Sequence, residues 1–175
     1  MNEFDLKIFG GNGTINSIND FFSEITVFSK KYNIIIQVFD ADMIFGENHI
    51  LSAFKHAIRS MQQDNAVTHS LSMELLLYVS GERQIKRAIK KMGIKEGKHD
   101  FVVVFIYPLK ESKNITLTID TFLNNFELKR NDSLIKPDKK KLIEFGITKE
   151  SIFSVRSNQV FQLVLEKIAL VDVIK

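Results

Sequence analysis

Apolar positions recur along this chain in two rhythms, and the change from one to the other marks the elements. "FDLKIFGG", near the start, alternates well enough to predict a first strand ended by "GGNG". Ile15, Ile18, Phe22, Ile25 and Phe28 then follow a helical stripe, with Thr14 or Asn16 near its start. "NIIIQVF" is continuous and β-branched, the signature of a buried strand. Ile50, Leu51, Phe54, Ala57, Ile58 and Met61 return to helical spacing, and the polar "QQDNAVTHS" leads into a helix carrying "MELLLYV". Beyond Ser80-Gly81 the spacing of Ile85, Ala88, Ile89 and Met92 predicts another helix, ended at Gly93 by a left-handed cap.

"DFVVVFIYPL" is the clearest strand, closed by Pro108. "ITLTIDTFLNNFEL" alternates at first and then takes helical spacing, so its period leaves both readings open. "KRNDSLIKPDKKK" reads as a polar connection with room for a short strand, and helical signals return at "KKLIEF" and from Ser157 onward. Strands interleaved with helices predict an α/β (α+β) fold: a central mixed or antiparallel sheet packed by several helices, in a single compact domain over residues 1–175.

Composition narrows the class. A hydrophobic content of 45% with 26% charged residues is that of a folded chain, and 15 Phe with no Trp predict a Phe-rich core. With no cysteine, disulfides and thiolate metal sites are excluded. "MNEFDLKIFGG" is acidic where a secretory leader would be basic, and no run approaches the roughly 18–20 apolar residues of a membrane span. Charge distribution says more than its total. Residues 82–98 hold seven lysines and arginines against Glu82 and Glu96, a net +5 in a chain whose whole charge is +3. The positive charge is thus concentrated directly after the Gly81 corner.

Few motifs carry catalytic chemistry. "GGNGT" lies between a strand and a helix but lacks the G-x-G-x-x-G spacing and the Walker lysine, so a tight turn is the expected role. Asp40 and Asp42, in "FDAD" at a strand end, stand where catalytic or metal carboxylates often do. No third ligand is spaced from them, and turn formation and helix capping explain them better. His49 and His56 are two helical turns apart, too far for an i, i+4 metal pair. No catalytic triad, glycine-framed serine or kinase signature is present, and the expectation is a chain that is not an enzyme and takes no cofactor.

Two features point instead to partners. At the corner "ELLLYVSGERQIKR", Gly81 suits a sharp turn, Gln84 is placed to cap back as an N3 residue, and Arg83 projects from the first turn. Arg83, Lys86 or Arg87, and Lys90 form a stripe with no acid between Glu82 and Glu96, whereas a merely solvated helix mixes both signs. Glu74 and Tyr78 form an i, i+4 pair: Glu74 is expected to bond a neighbour or backbone, and Tyr78 offers an aromatic face that can stack a base. In "VFQLVLEKIALVDVIK", Phe161, Val164, Ile168 and Val171 make one stripe, and Val160, Leu163, Leu170 and Ile174 another. So wide an apolar arc on a terminal helix predicts docking on a partner protein.

The stretch "NAVTHSLSMELLLYVSGERQIKRAIKKMGI" resembles the signature of the small kinase-binding subunit of the KEOPS complex, the PRPK-binding protein family. The matching positions are Asn65, Glu74, Tyr78, Gly81 through Ile85, Ala88 and Gly93, with "MIFGENHILSAFKHAI" and "VLEKIALVDV" as flanking segments. In outline the resemblance covers roughly residues 40–175, with 110–150 longer and more polar than the family pattern. It implies a noncatalytic, cytoplasmic subunit with no membrane or small-molecule partner. Such a subunit binds the N-lobe of an atypical kinase/ATPase through its C-terminal helix. It recruits tRNA by the single-stranded 3′ CCA end for threonylcarbamoyladenosine modification. Carried onto this chain, Val164, Ile168 and Val171, or the adjoining Leu163 and Leu170, face the kinase. Arg83, Gln84 and Lys86 face tRNA, with Arg59 lining the same groove and Tyr78 beside it. The rival expectations are a phosphate-ligand or metal-dependent enzyme built on Asp40, Asp42 and "GGNG", and a structural adaptor that touches no RNA.

Overall fold

The computed structural model describes residues 4–173. Strand β1 (Phe4–Ile15) runs antiparallel to β3 (Gly97–Pro108) along its whole length, Phe4 opposite Pro108 and Ile15 opposite Gly97. Strand β2 (Ile35–Asp40) flanks β3 and the two-residue β4 (Lys129–Arg130) flanks β1, giving a four-stranded, fully antiparallel sheet in the order β2-β3-β1-β4. With the helices around it this is an α+β fold. The chain forms two compact units: residues up to Ala41 with Ile94–Leu134, and Asp42–Gly93 with Ile135 onward.

The first unit holds the sheet with helices α1 (Ile18–Tyr32) and α5 (Ile115–Asn125). Ser17, rather than Thr14 or Asn16, caps α1, its hydroxyl accepting from the Asp20 N–H at 3.3 Å. The core is rich in Phe, as composition predicts. Phe9, Phe28, Phe105 and Phe122 meet edge to face or tilted, with Phe9 and Phe105 ring centres 5.2 Å apart. The ambiguous "ITLTIDTFLNN" is helical because Ile115, Ile119, Phe122 and Leu123 bury one face. Its threonines fit the helix by donating back one turn, Thr118 to the Asn114 carbonyl at 3.1 Å and Thr121 to that of Leu117 at 2.8 Å.

"GGNG" is not a turn. Strand β1 runs straight through it, and none of its glycines has positive φ. They are small because chain passes close by: a Cβ on Gly10 would lie 2.1 Å from the Asn131 carbonyl oxygen, and one on Gly13 2.6 Å from the Leu128 side chain.

The second unit is helical: α2 (Glu47–Gln62), α3 (Leu71–Ser80), α4 (Ile85–Met92), α6 (Leu142–Phe145), α7 (Lys149–Ser154) and α8 (Gln162–Val173). Helix α3 packs against α2, α4 and α8, and every residue from Glu74 to Ser80 is buried. The short α7 is absent from the periodicity, which predicts helix only before and after it. Gly93 ends α4 in extended conformation (φ −72°), not left-handed. A Cβ there would sit 2.5 Å from the Ile89 carbonyl oxygen, so close approach fixes the glycine.

Candidate functional site

The corner after α3 is built by its backbone. Gly81 takes the left-handed conformation (φ 63°) that a side chain resists, its N–H donating to the Tyr78 carbonyl and the Glu82 N–H to that of Leu77. This C-cap consumes Gly81 and Glu82, so α4 restarts at Ile85, where its apolar spacing begins and later than an N3 role for Gln84 requires. Gln84 is therefore the N-cap residue itself, with no side-chain capping bond, and Arg83 lies in the connecting loop rather than the first turn.

Arg83, Gln84, Lys86, Arg87 and Lys90 are all exposed. None of the four cations forms an ion pair among the described residues. Beside Lys86 and Lys90, Ile85 and Ile89 are exposed too, and α4 buries only Ala88 and Met92. The surface after the corner thus offers cations and apolar side chains in alternation.

Lys91 does not belong to that surface. It folds back, donating to the Ser80 carbonyl at 2.6 Å, with Glu82 at 3.6 Å and the Phe145 ring centre at 3.8 Å. Burial and the nearby Lys167 push its ammonium down to about 8, against the pull of Glu82. From α8, Lys167 reaches the same place, donating to the Gly146 carbonyl at 3.1 Å and lying close over Gly81. Two lysines thus brace the corner from behind.

Glu74 is fully buried, its carboxylate accepting from the Ser60 hydroxyl at 3.0 Å and the N–H groups of Val67 and Thr68. It ties down the polar loop between α2 and α3, the backbone role expected of it. His49 works alike: the Phe45 N–H donates to Nδ1 at 3.2 Å, while Nε2–H donates to the Val79 carbonyl at 2.8 Å. Burial, opposed by that carbonyl and aided by Lys91, holds its imidazole neutral with a pKa of about 4.

The base-stacking role expected of Tyr78 is corrected. Its residue is wholly buried, its ring stacks on His56 with centres 5.5 Å apart, and its hydroxyl donates to Asp172, so no face is open to a base. Arg59 is brought beside Tyr78, but by Asp172. Arg59 Nη2 and His56 Nδ1 lie 2.5 and 2.7 Å from Asp172 Oδ2. Burial raises the Asp172 pKa, but the bonds from Tyr78, His56 and Arg59 outweigh it and hold the carboxyl below its ordinary value. Asp172 is absent from the expected site. The one signal in the sequence was an acid near the C-terminal end of an apolar helix, where the helix dipole disfavours it.

On α8 the two apolar stripes separate. Val164, Ile168 and Val171 are buried against α2 and α3, so the expectation that they face a kinase is corrected: they build the unit's own core. The other stripe is split: Val160, which precedes the helix, is buried, and the part carried by α8 turns outward. Leu163 is half-buried and Leu170 is 51% exposed, while Ile174 lies outside the described residues; Val173, which belongs to neither predicted stripe, is 79% exposed beside Leu170.

The rival site loses its loop, since "GGNG" lies within β1. The Asp40 carboxylate lies 3.8 Å from His99 Nε2, and Asp42 pairs with Lys141 at 2.8 Å. Among the described residues no group of three acidic or histidine side chains is placed to hold a metal ion, and no helix is long and apolar enough to cross a membrane.

Fold and surfaces together define an α+β domain with a bare basic corner and an outward apolar helix stripe. Residues 15–172 match the model of the family described as kinase binding protein CGI-121, and the chain belongs to that family. It is 34% identical over 148 residues to the "Regulatory protein Cgi121" of Methanocaldococcus jannaschii, covering 79% of this chain and 84% of that protein. It is 32% identical over 65 residues to the "EKC/KEOPS complex subunit CGI121" of Coccidioides immitis, covering 37% of this chain and 31% of that protein.

Proposed function

We propose that this chain is a noncatalytic subunit of a cytoplasmic KEOPS assembly, binding an atypical kinase/ATPase and recruiting tRNA by its 3′ CCA end for threonylcarbamoyladenosine formation. The names of the family and its relatives support the kinase and the complex. The observation that carries the rest is the coexistence, in one unit, of the unpaired cations at the corner with the outward stripe of α8. In this reading Arg83 and Lys86 engage phosphates, Gln84 contributes hydrogen bonds, and Ile85 and Ile89 lie against splayed bases. Single-stranded RNA exposes backbone and base faces together, and a planar guanidinium serves both. Leu163, Leu170 and Val173 form the kinase side.

A tagged full-length chain, captured from native lysate and scored for both an atypical kinase and tRNA, tests the reading. Recovery of both is expected. Recovery of neither would sink it, and kinase without tRNA would leave the adaptor alone.

A further inference from the structure

The RNA surface proposed above contains one cation that is already engaged. Arg59 is 53% exposed yet held by Asp172, whereas Arg83, Lys86 and Lys90 have no such partner among the described residues. A solvent-open pocket lies directly beside the pair, lined by Arg59, Ser60, Gln63, Asn65 and Asp172. A carboxylate and a phosphate meet a guanidinium through the same geometry, anionic oxygens facing two N–H donors. Asp172 therefore stands where an incoming phosphate oxygen would.

Its other bonds make an exchange inexpensive. If Arg59 turned toward the pocket, Asp172 would keep the Tyr78 hydroxyl on Oδ1 and the His56 ring on Oδ2, so no buried carboxylate would be orphaned. A half-exposed ion pair is weak in water and is readily traded for another anion. Asp172 also shares a turn of α8 with the outward Leu170 and Val173, so the residue that restrains Arg59 is carried by the helix proposed to dock the kinase.

We propose that Asp172 is an internal counter-anion: it occupies Arg59 in the RNA-free chain and cedes it to a phosphate of bound RNA, which gives the pocket lined by Gln63 and Asn65 a place in the RNA path. The proposal rests on the RNA-binding reading above. It assigns Asp172 a restraining part in RNA affinity without making it a contact.

The test is the affinity of the full-length chain for a tRNA transcript with an intact CCA end, measured across a salt series. Asp172→Asn keeps the side-chain shape and removes the competing charge. It is expected to bind several-fold tighter with the log K against log salt slope little changed, because Arg59 meets a phosphate in both chains. Both slopes are expected to exceed that of Arg59→Gln by about 0.7, the value for one phosphate contact on a single strand. That gain is expected to vanish when Arg59→Gln is added. Unchanged affinity in Asp172→Asn, with the unaltered chain binding tRNA normally, would overturn the counter-anion and leave the RNA reading standing. Absence of binding by every variant and by the unaltered chain would overturn both. Should Asp172→Asn fail to fold, Arg59→Gln alone decides: a shallower salt slope than the unaltered chain supports the proposal, and an unchanged slope defeats it.

Discussion

The Lys91 ammonium lies 3.8 Å from the centre of the Phe145 ring, on the inner side of the corner whose outer side carries Arg83. The basic segment after Gly81 thus has two kinds of lysine, one spent on structure and the others left for solvent or a ligand. Lys91 titrates at about 8 in the folded chain against 10.5 as its ordinary value, so between these values the unfolded chain binds more protons. Lys91 therefore makes stability rise as pH increases from about 8 toward 10.5. Denaturant unfolding across that window is expected to show the rise in the unaltered chain and a smaller one in Lys91→Met.

His49 gives the complementary acid-side prediction. Its imidazole ordinarily titrates at 6.5 and in the fold at about 4, so only the unfolded chain takes up a proton between those values. Stability is full above about 6.5 and falls as pH drops toward 4, by up to about 3 kcal/mol at 1.36 kcal/mol per pKa unit. His49→Gln is expected to flatten this part of the profile. Asp172, whose pKa is lowered from 3.8, loses its contribution only at still lower pH, so the two are separable.

The glycines of β1 predict a ranking. Gly10→Ala drives a methyl group into the Asn131 carbonyl oxygen, which is backbone and cannot rotate away. Gly13→Ala meets only the end of the Leu128 side chain, which can move. Overpacking of this kind costs about 1–3 kcal/mol, and Gly10→Ala is expected at the upper end with Gly13→Ala clearly milder by chemical denaturation.

Helix α8 should divide cleanly between stability and binding. Ile168→Ala empties a fully buried site and is expected to cost about 2–5 kcal/mol. Leu170→Asp changes an outward residue, leaves the melting temperature within a few degrees and weakens capture of the kinase at least tenfold. Kinase affinity by calorimetry that is unaffected by Leu170→Asp would remove the outer stripe from the interface.

At the corner, Arg83→Glu is expected to abolish tRNA binding at near-physiological salt with the fold intact, because Arg83 is exposed and forms no ion pair among the described residues. Unchanged mobility of the complex by gel shift would exclude the corner from the RNA surface.

Much of this was legible in the sequence because it depends on local periodicity. The β-branched runs of β2 and β3, the stripes of α1, α2 and α3, and the break at Gly81 are consequences of neighbours in sequence. Less legible was anything set by distant chain. "GGNG" has the composition of a turn, but Asn131 and Leu128, more than a hundred residues on, make it a closely approached strand. Tyr78 reads as a ligand contact until its hydroxyl is found on Asp172, and nothing local shows that Arg59 shares that carboxylate.

By itself, then, the sequence determined where most of the helices and strands form, that the positive charge gathers in one segment, and that the last helix is apolar over more than one face. Only the tertiary structure decided which of those groups remain available. Lys91 and Arg83 share one segment, as Ile168 and Leu170 share one helix, and composition treats each pair alike. What separates them is burial and the approach of a counter-charge from elsewhere in the chain, and those are properties of the packed molecule that no local pattern encodes.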